Sequence, residues 1–393
     1  MEFWILSDID SAKFLAIKKM VQKFNIEYPR IKVRLLIKTR QSMWESMFLY
    51  LRNPKQYPLA DLLEIPHSWT KVLVNLEILR EMKSIADIDA EDFFDFLKDG
   101  MALKPKGDYF SLPWWLELYT LSVREDMLRL IGNAAEKLAV WEGFVDVCRF
   151  LKSKNRKSNF YPLENSNPSG AFSLYDVLPC IWNRGGRLFN DEFTKCEASK
   201  VEVLRGIQDF IFLARKGYLP LFKENYYEEK GLLSEGRRAM ILSGRLPSCY
   251  RKTHAPKLVS FIYPNINRDG HFASSVNLAV TVRARENETS RFLRFLFLQA
   301  NLKFLAESFN VFPCMKKSAE YIYEQKRFSV YKTILSKPRM TPDIEIFPTY
   351  EFLMNNLLKE MAIKVAAGAW DEDDLQRKLI IVQTEVDYIL SSY

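Results

Sequence analysis

Tyr109-Phe110-Ser111-Leu112-Pro113-Trp114-Trp115-Leu116-Glu117-Leu118-Tyr119-Thr120-Leu121-Ser122-Val123-Arg124-Glu125-Asp126-Met127 joins two runs that both read as strands, with a proline and two tryptophans at the join. Tyr109–Leu112 reads as a short extended run, because the proline that follows disfavours helical backbone at Leu112. Leu116, Leu118, Tyr119 and Leu121 form a second apolar run of the kind a buried strand carries. Trp114 and Trp115 fall where the chain passes from one run to the next. At least one of the two rings is therefore expected to sit poorly in either core and to line a cleft.

Working outward, 393 residues are many for one hydrophobic core and comfortable for two. With 48% hydrophobic and 27% charged residues, and neither internal repeat nor low-complexity tract, the composition is that of a folded globular protein. No apolar run approaches the roughly 20 residues that cross a bilayer, and Arg294 and Lys303 interrupt the most apolar helix, Phe292–Leu305. Met1 leads almost directly into Phe3–Leu6 with no leader pattern before it, which leaves either a cytoplasmic protein or one whose export signal has been replaced. Five cysteines, Cys148, Cys180, Cys196, Cys249 and Cys314, lie far apart with no C-x-x-C pair, so buried free thiols are expected. The 57 basic residues against 49 acidic ones are spread along the chain, which reads as a solvated surface and no nucleic-acid footprint.

From the amino end, Phe3–Leu6 reads as a strand, followed by a helix whose stripe is Phe14, Ile17, Val21 and Phe24 and which stops at Tyr28-Pro29. Ile31, Val33, Leu35 and Ile37 alternate with polar residues as a second strand; a helix from about Ser42 to Leu51 leads to a third at Leu59–Ile65, and a further helix begins near Trp69. Strand, helix, strand, helix, strand is the pattern of a parallel sheet with crossover helices, hence an α/β lobe. Ligands of such sheets bind beyond the carboxyl ends of the strands, which here singles out Ser7–Asp10, Thr39–Gln41 and Pro66–Trp69.

Gly107, Tyr109, Pro113 and Arg124-Glu125-Asp126-Met127 resemble the "G-x-x-Y/F-x-x-P" segment and following helix start of bacterial extracellular solute-binding proteins of the sugar-binding, maltodextrin type (family 1). Phe24, Pro29, Ile31 and Val33 resemble its "F-x-x-x-x-P-x-I-x-V", and Asp61 its "x-D-hydrophobic". Trp141–Lys152, with Glu142 and Phe144, resembles its "T-W-x-E-F" helix, and Gly185-Gly186 with Leu188 and Asp191 resembles its "G-G-x-x-x-D" turn. A long helix follows, with a capping box expected at Ser199-x-x-Glu202 and an end at Gly217-Tyr218-Leu219-Pro220. Leu233–Gly244 resembles "F-x-x-G-K-A-A-M-x-x-x-G", with Leu246 near the place where the family often has a tryptophan. Glu286–Leu298, Val311-Phe312-Pro313 and the closing helix Asp371–Ile389 complete a resemblance that covers almost the whole chain.

The resemblance implies a two-lobed periplasmic-binding-protein-like (type II) α/β fold with three interlobe crossovers, near 109–112, 261–264 and 311–314. Residues 1–109 with 263–312 would form the first lobe; 110–262 with 313–393 would form the second. It implies a monomeric, non-catalytic substrate-binding component of an ABC-type importer, periplasmic or extracellular and lipid-anchored, that captures a sugar or oligosaccharide, or a sugar acid or anion, between the lobes and hands it to a membrane permease. Hinge closure would accompany capture. Sugar recognition needs rings for the CH faces and polar side chains for the hydroxyls. Trp114, Trp115 and Tyr175 are the ring candidates, each with packing as its alternative, and Trp182 is read first as core. Ser7, Asp8 and Asp10 either bond hydroxyls or cap the first helix. Gln41, His67 and Trp69 follow strands, Arg245 follows the Gly244 turn and would favour an acidic ligand, and Tyr350-Glu351 open a carboxyl-terminal helix. Two alternatives stay open: a ligand-sensing protein for a membrane receptor, and a glycan-cleaving enzyme using a carboxylate pair such as Asp8 with Glu117. No cofactor is expected, and His67, His254 and His271 have no metal-ligand spacing.

Overall fold

The computed structural model describes residues 1–7, 11–86, 88–102, 108–155, 159–165, 172–222, 233, 235–244, 257–264, 270–324 and 329–392. Its strands, in chain order, are β1 (Glu2–Leu6), β2 (Arg34–Lys38), β3 (Leu62–Pro66), β4 (Ser111–Leu118), β5 (Thr120–Arg124), β6 (Tyr161–Asn165), β7 (Arg238–Ser243), β8 (Leu258–Phe261), β9 (His271–Val280), β10 (Phe312–Pro313) and β11 (Pro338–Arg339). The chain divides into two units. The first holds Met1–Glu117, Ser274–Gln325 and Thr341–Glu345; the second holds Leu118–Ala273, Lys326–Met340 and Ile346–Tyr393.

The first unit is built on a sheet in the order β10-β4-β9-β3-β1-β2. β1 pairs in parallel with β2 and with β3, as the strand–helix alternation predicts, and β9 returns antiparallel to β3. Alternate residues of β1 enter opposite layers, as strand geometry requires. Phe3 meets Phe292 at 5.7 Å, and Phe292 meets Phe24 at 4.8 Å. Trp4 joins Met43, Met47, Leu63, Trp69 and Leu73 in a buried cluster with the helices after β2 and β3. The helix Ala12–Glu27 begins at Ser11, whose hydroxyl accepts from Phe14 N at 3.0 Å, and it buries Ile17, Val21 and Phe24. That assigns the cap to Ser11. Ser11→Ala is expected to lower stability by about 1 kcal/mol, read as a fall in the urea midpoint with an unchanged slope.

The second unit carries the four-stranded sheet β6-β7-β5-β8, with β7 and β8 antiparallel to β5 and β6 parallel to β7. Helices Trp141–Lys154, Leu174–Asn183 and Val201–Arg215 belong to it, with the carboxyl-terminal helices Phe347–Ala366 and Glu372–Leu390. Gly206 is required by the approach of two helices: a Cβ there would lie 2.3 Å from Ile181 Cα. Gly217 adopts φ +66° and ends its helix as expected. The capping box expected at Ser199 is not formed. The cap is Lys200, and the Ser199 hydroxyl donates to Gln383 Oε1 at 2.7 Å, so a tertiary partner replaces the local one.

The first unit ends at Glu117 and resumes at Ser274, and Thr341–Glu345 also belongs to it. Sheet pairing is the reason. β4 does not stop at Pro113; it stays paired with β10 up to Leu116, while β8 remains bonded to β5 and never leaves the second unit's sheet. The second passage is made inside β9, whose first residues pair with β11 and whose later ones pair with β3. Cys148, Cys180, Cys196 and Cys314 are free and buried, and burial pushes the Cys180 thiol up to about 12; Cys249 lies outside the described residues. Among the described residues no helix is long and apolar enough to cross a membrane.

Candidate functional site

In the second unit, rings gather around Phe272, the second residue of β9. Tyr119, the single residue between β4 and β5, stacks on Phe272 with centroids 4.2 Å apart and planes at 22°. Tyr175, one residue into its helix, lies parallel to Phe272 at 6.0 Å and 23°. Trp182 meets Phe272 edge-on at 4.9 Å. Helical spacing explains the pair from one helix: positions seven apart share a face. Tyr119 and Tyr175 remain partly exposed, whereas Trp182 and Phe272 are each 4% exposed, so the two tyrosines present the stack and the other two rings support it.

Polar groups border this stack. The Arg339 guanidinium lies 4.9 Å from the Trp182 ring and donates to Gly186 O at 2.8 Å, and β11 sets it beside Phe272 through the pairing Arg339↔Phe272. His271, next to Phe272, is half-buried; burial pushes its pKa down and Lys337 adds to the effect. Tyr119, Trp182, His271 and Phe272 line a small recess with Tyr263 and Pro264. Flat rings with a guanidinium and an imidazole at the edge suit a molecule with an apolar face and hydroxyls around it.

In the first unit, a second polar group forms where β1 ends. Lys13, in the first turn of the helix that follows, donates to Leu6 O at 2.6 Å, pairs with Glu64 of β3, and lies 5.1 Å from the Trp115 ring. Burial pushes the Glu64 carboxyl up, Lys13 pulls it back, and Glu117 raises it further; the net direction is up. Glu64 Oε2 is buried with no hydrogen-bond partner among the described residues.

The remaining sequence candidates divide. Trp114 and Trp115 are both buried, 1% and 2% exposed, which corrects the expectation that one ring stays out of the core. β4 runs unbroken through them as an interior strand, so Trp114 packs on Phe3 at 6.0 Å and Trp115 on Phe309 at 5.2 Å. His67 is buried, with Nε2 3.0 Å from Thr341 O and Nδ1 3.3 Å from Ser275 O, and burial pushes its pKa down. Trp69 is 2% exposed, 4.9 Å from Trp44, and therefore a packing residue. Ser7 bonds Ser11 through their hydroxyls at 2.6 Å. Gln41 is exposed and donates to Glu45, one helical turn on. Glu351 is 6% exposed in its helix. Asp8, Asp10, Arg245, Leu246 and His254 lie outside the described residues. Among those described, no group of three or more His, Cys, Asp or Glu is placed to hold a metal ion.

Tyr175 and Trp182 are thus brought together, while Tyr119, Phe272, His271 and Arg339 were not legible as partners. Phe272 carried one signal, its place just after Gly270 at the head of a strand. The sequence pattern starts that strand at Asn277 and so passes over it. Lys13 lies just beyond the carboxyl end of the first strand, three residues past the stretch that the parallel-sheet rule singled out there.

No protein-family model matches the chain, and no curated protein matches it. Solved structures do. The maltose-bound MalE3 protein of T. maritima superposes with a TM-score of 0.81 at 14% identity, covering 99% of each chain. An ABC transporter solute-binding protein of Thermotoga lettingae TMO, bound with alpha-D-tagatose, superposes at 0.79 and 15% identity, again over 99% of each chain. The maltotriose-binding protein of Thermus thermophilus, bound with maltotriose, superposes at 0.77 and 15% identity over 99% of this chain and 100% of its own. Coverage is nearly full-length on both sides, and the chain therefore has the α/β fold of ABC solute-binding proteins solved with sugars.

Proposed function

We propose that this protein is the solute-binding component of an ABC-type importer, working outside the cytoplasmic membrane, in the periplasm or held at the cell surface by a lipid anchor. It acts as a monomer, captures a carbohydrate without turnover, and passes it to a membrane permease. The observation that carries this reading is the ring stack Tyr119–Phe272–Tyr175 with Arg339 and His271 at its border. Two partly exposed tyrosines offer the face on which a sugar ring lies, and the guanidinium and imidazole offer hydrogen bonds to its hydroxyls. Full-length likeness to proteins solved with maltose, tagatose and maltotriose supports the same ligand class. Asp8, Asp10 and Arg245 are proposed as further ligand contacts, and Glu64 Oε2 as an acceptor for a hydroxyl.

The test is a melting curve of the full chain with maltotriose and other neutral oligosaccharides. Ligand at 100 times its dissociation constant is expected to add about 2.7 kcal/mol to the native state. Phe272→Ala, which removes the ring on which both tyrosines rest, is expected to weaken sugar binding about tenfold in calorimetric titration. Melting curves that stay flat across the sugars, or full affinity in the Phe272→Ala variant, would defeat this reading.

A further inference from the structure

A recess within the second unit shares no residue with the ring stack. It is a cavity of about 600 Å³ between the helices Trp141–Lys154 and Val201–Arg215 and the turn at Trp370. That size falls in the range that holds a small organic ligand. Its walls combine three kinds of group. Trp141, Phe212 and Trp370 supply ring surface, and the Arg215 guanidinium lies 5.9 Å from the Trp370 ring. Arg184 and Asp209 form a bidentate pair, Nε to Oδ2 at 2.6 Å and Nη2 to Oδ1 at 2.8 Å, which fixes both side chains. Gln208 Nε2 is a buried donor with no hydrogen-bond partner among the described residues.

An amide donor buried without an acceptor is costly unless something fills its valence. What fills it is constrained by charge. Arg149, Arg184 and Arg215 share the wall with Glu142, Asp146, Asp209 and Glu372, and the most enclosed pair, Arg184 with Asp209, is already neutralised internally. A net anion or cation would meet repulsion from half the wall. A neutral molecule whose groups both donate and accept meets none, and ring surfaces select one with a flat apolar face. Hydroxyls on a saturated ring have both properties.

We infer that this cavity is a second binding site, for a neutral saccharide of one or two rings, with Trp370 and Trp141 against its apolar face and Gln208 donating to a hydroxyl or ring oxygen. The inference is independent of transport, because it rests on residues the ring stack does not use.

Indole N–H resonances of the full chain in two-dimensional NMR test it directly, with Trp141 and Trp370 assigned from Trp141→Phe and Trp370→Phe and with maltose, lactose, sucrose and trehalose added to millimolar concentration. The Trp141 and Trp370 signals are expected to shift saturably with at least one of the four, and Gln208→Leu is expected to weaken that shift about tenfold. Trp182 reports the ring stack in the same spectrum. A shift at Trp182 alone leaves the transport reading standing and overturns this one; shifts at Trp141 and Trp370 alone do the reverse. Signals from both cavity tryptophans that stay fixed with all four sugars overturn the second site. So does a Trp370 shift undiminished in Gln208→Leu, provided an unchanged Trp182 signal shows the variant folded.

Discussion

Arg238→Met is expected to lower the stability of the protein by about 3–5 kcal/mol, because it removes the guanidinium that pairs with a buried carboxylate. Arg238 of β7 pairs with Glu164 of the neighbouring parallel strand β6, Nε to Oε2 at 2.6 Å, with side chains only 6% and 3% exposed. Arg238 Nη1 also donates to Asn159 O at 3.1 Å and Arg237 O at 2.9 Å, and its guanidinium lies 4.9 Å from the Tyr161 ring. Methionine fills a similar volume but leaves the Glu164 charge without its guanidinium. The double variant Arg238→Met with Glu164→Leu removes both charges and is expected to recover most of the loss, since a buried pair and a well-packed apolar pair differ little. Urea unfolding of the two variants checks the argument. A single variant within about 1 kcal/mol of the parent would show that the pair is not sealed from water.

The second large effect has the opposite sign. Asp343 in the first unit is 7% exposed, accepts from Lys71 N at 3.3 Å through Oδ1, and has no partner for Oδ2 among the described residues. Burial pushes its carboxyl up to about 7; Lys71 opposes the shift through its backbone bond and its charge, and Asp99 adds to it. A folded pKa above the ordinary value of 3.8 means that the native state keeps a proton the unfolded chain has released. The stabilising contribution is therefore full below about pH 4 and is lost as pH rises toward about 7, up to about 4 kcal/mol for a shift of roughly three units. Asp343→Asn carries no charge at any pH. It is expected to match the parent near pH 4 and to exceed it increasingly up to pH 8, with about 4 kcal/mol as the upper value. Parallel unfolding curves at the two pH values, with no growing gap between variant and parent, would show that Asp343 is hydrated and ionised at neutral pH.

The two tryptophans show how far residue order alone reaches. Two apolar runs around a proline were enough to mark Tyr109–Met127 as a place where strands meet, and β4 and β5 are there. Their burial was not legible, because a proline inside an interior strand and a proline between two strands leave the same local trace. Ser199 makes the same point. Its spacing to Glu202 satisfies the capping pattern, yet Gln383, far along the chain, takes the hydroxyl. Residues that bond neighbours three or four positions away could be read; residues that bond partners hundreds of positions away could not.

That division runs through the candidate site as well. Hydrophobic period, helix stops and the strand–helix alternation carried the α/β class, the parallel start of the first sheet and the helix that holds Tyr175 and Trp182, because each depends on interactions within a few residues. Whether those rings meet Phe272 and Arg339, whether His67 and Trp69 face a ligand or the core, and where the chain passes from one unit to the other were decided by pairing between β9, β11 and β3. Strand pairing joins segments that are distant in sequence and costs chain entropy to bring together, and nothing in the local pattern records which partner repays that cost.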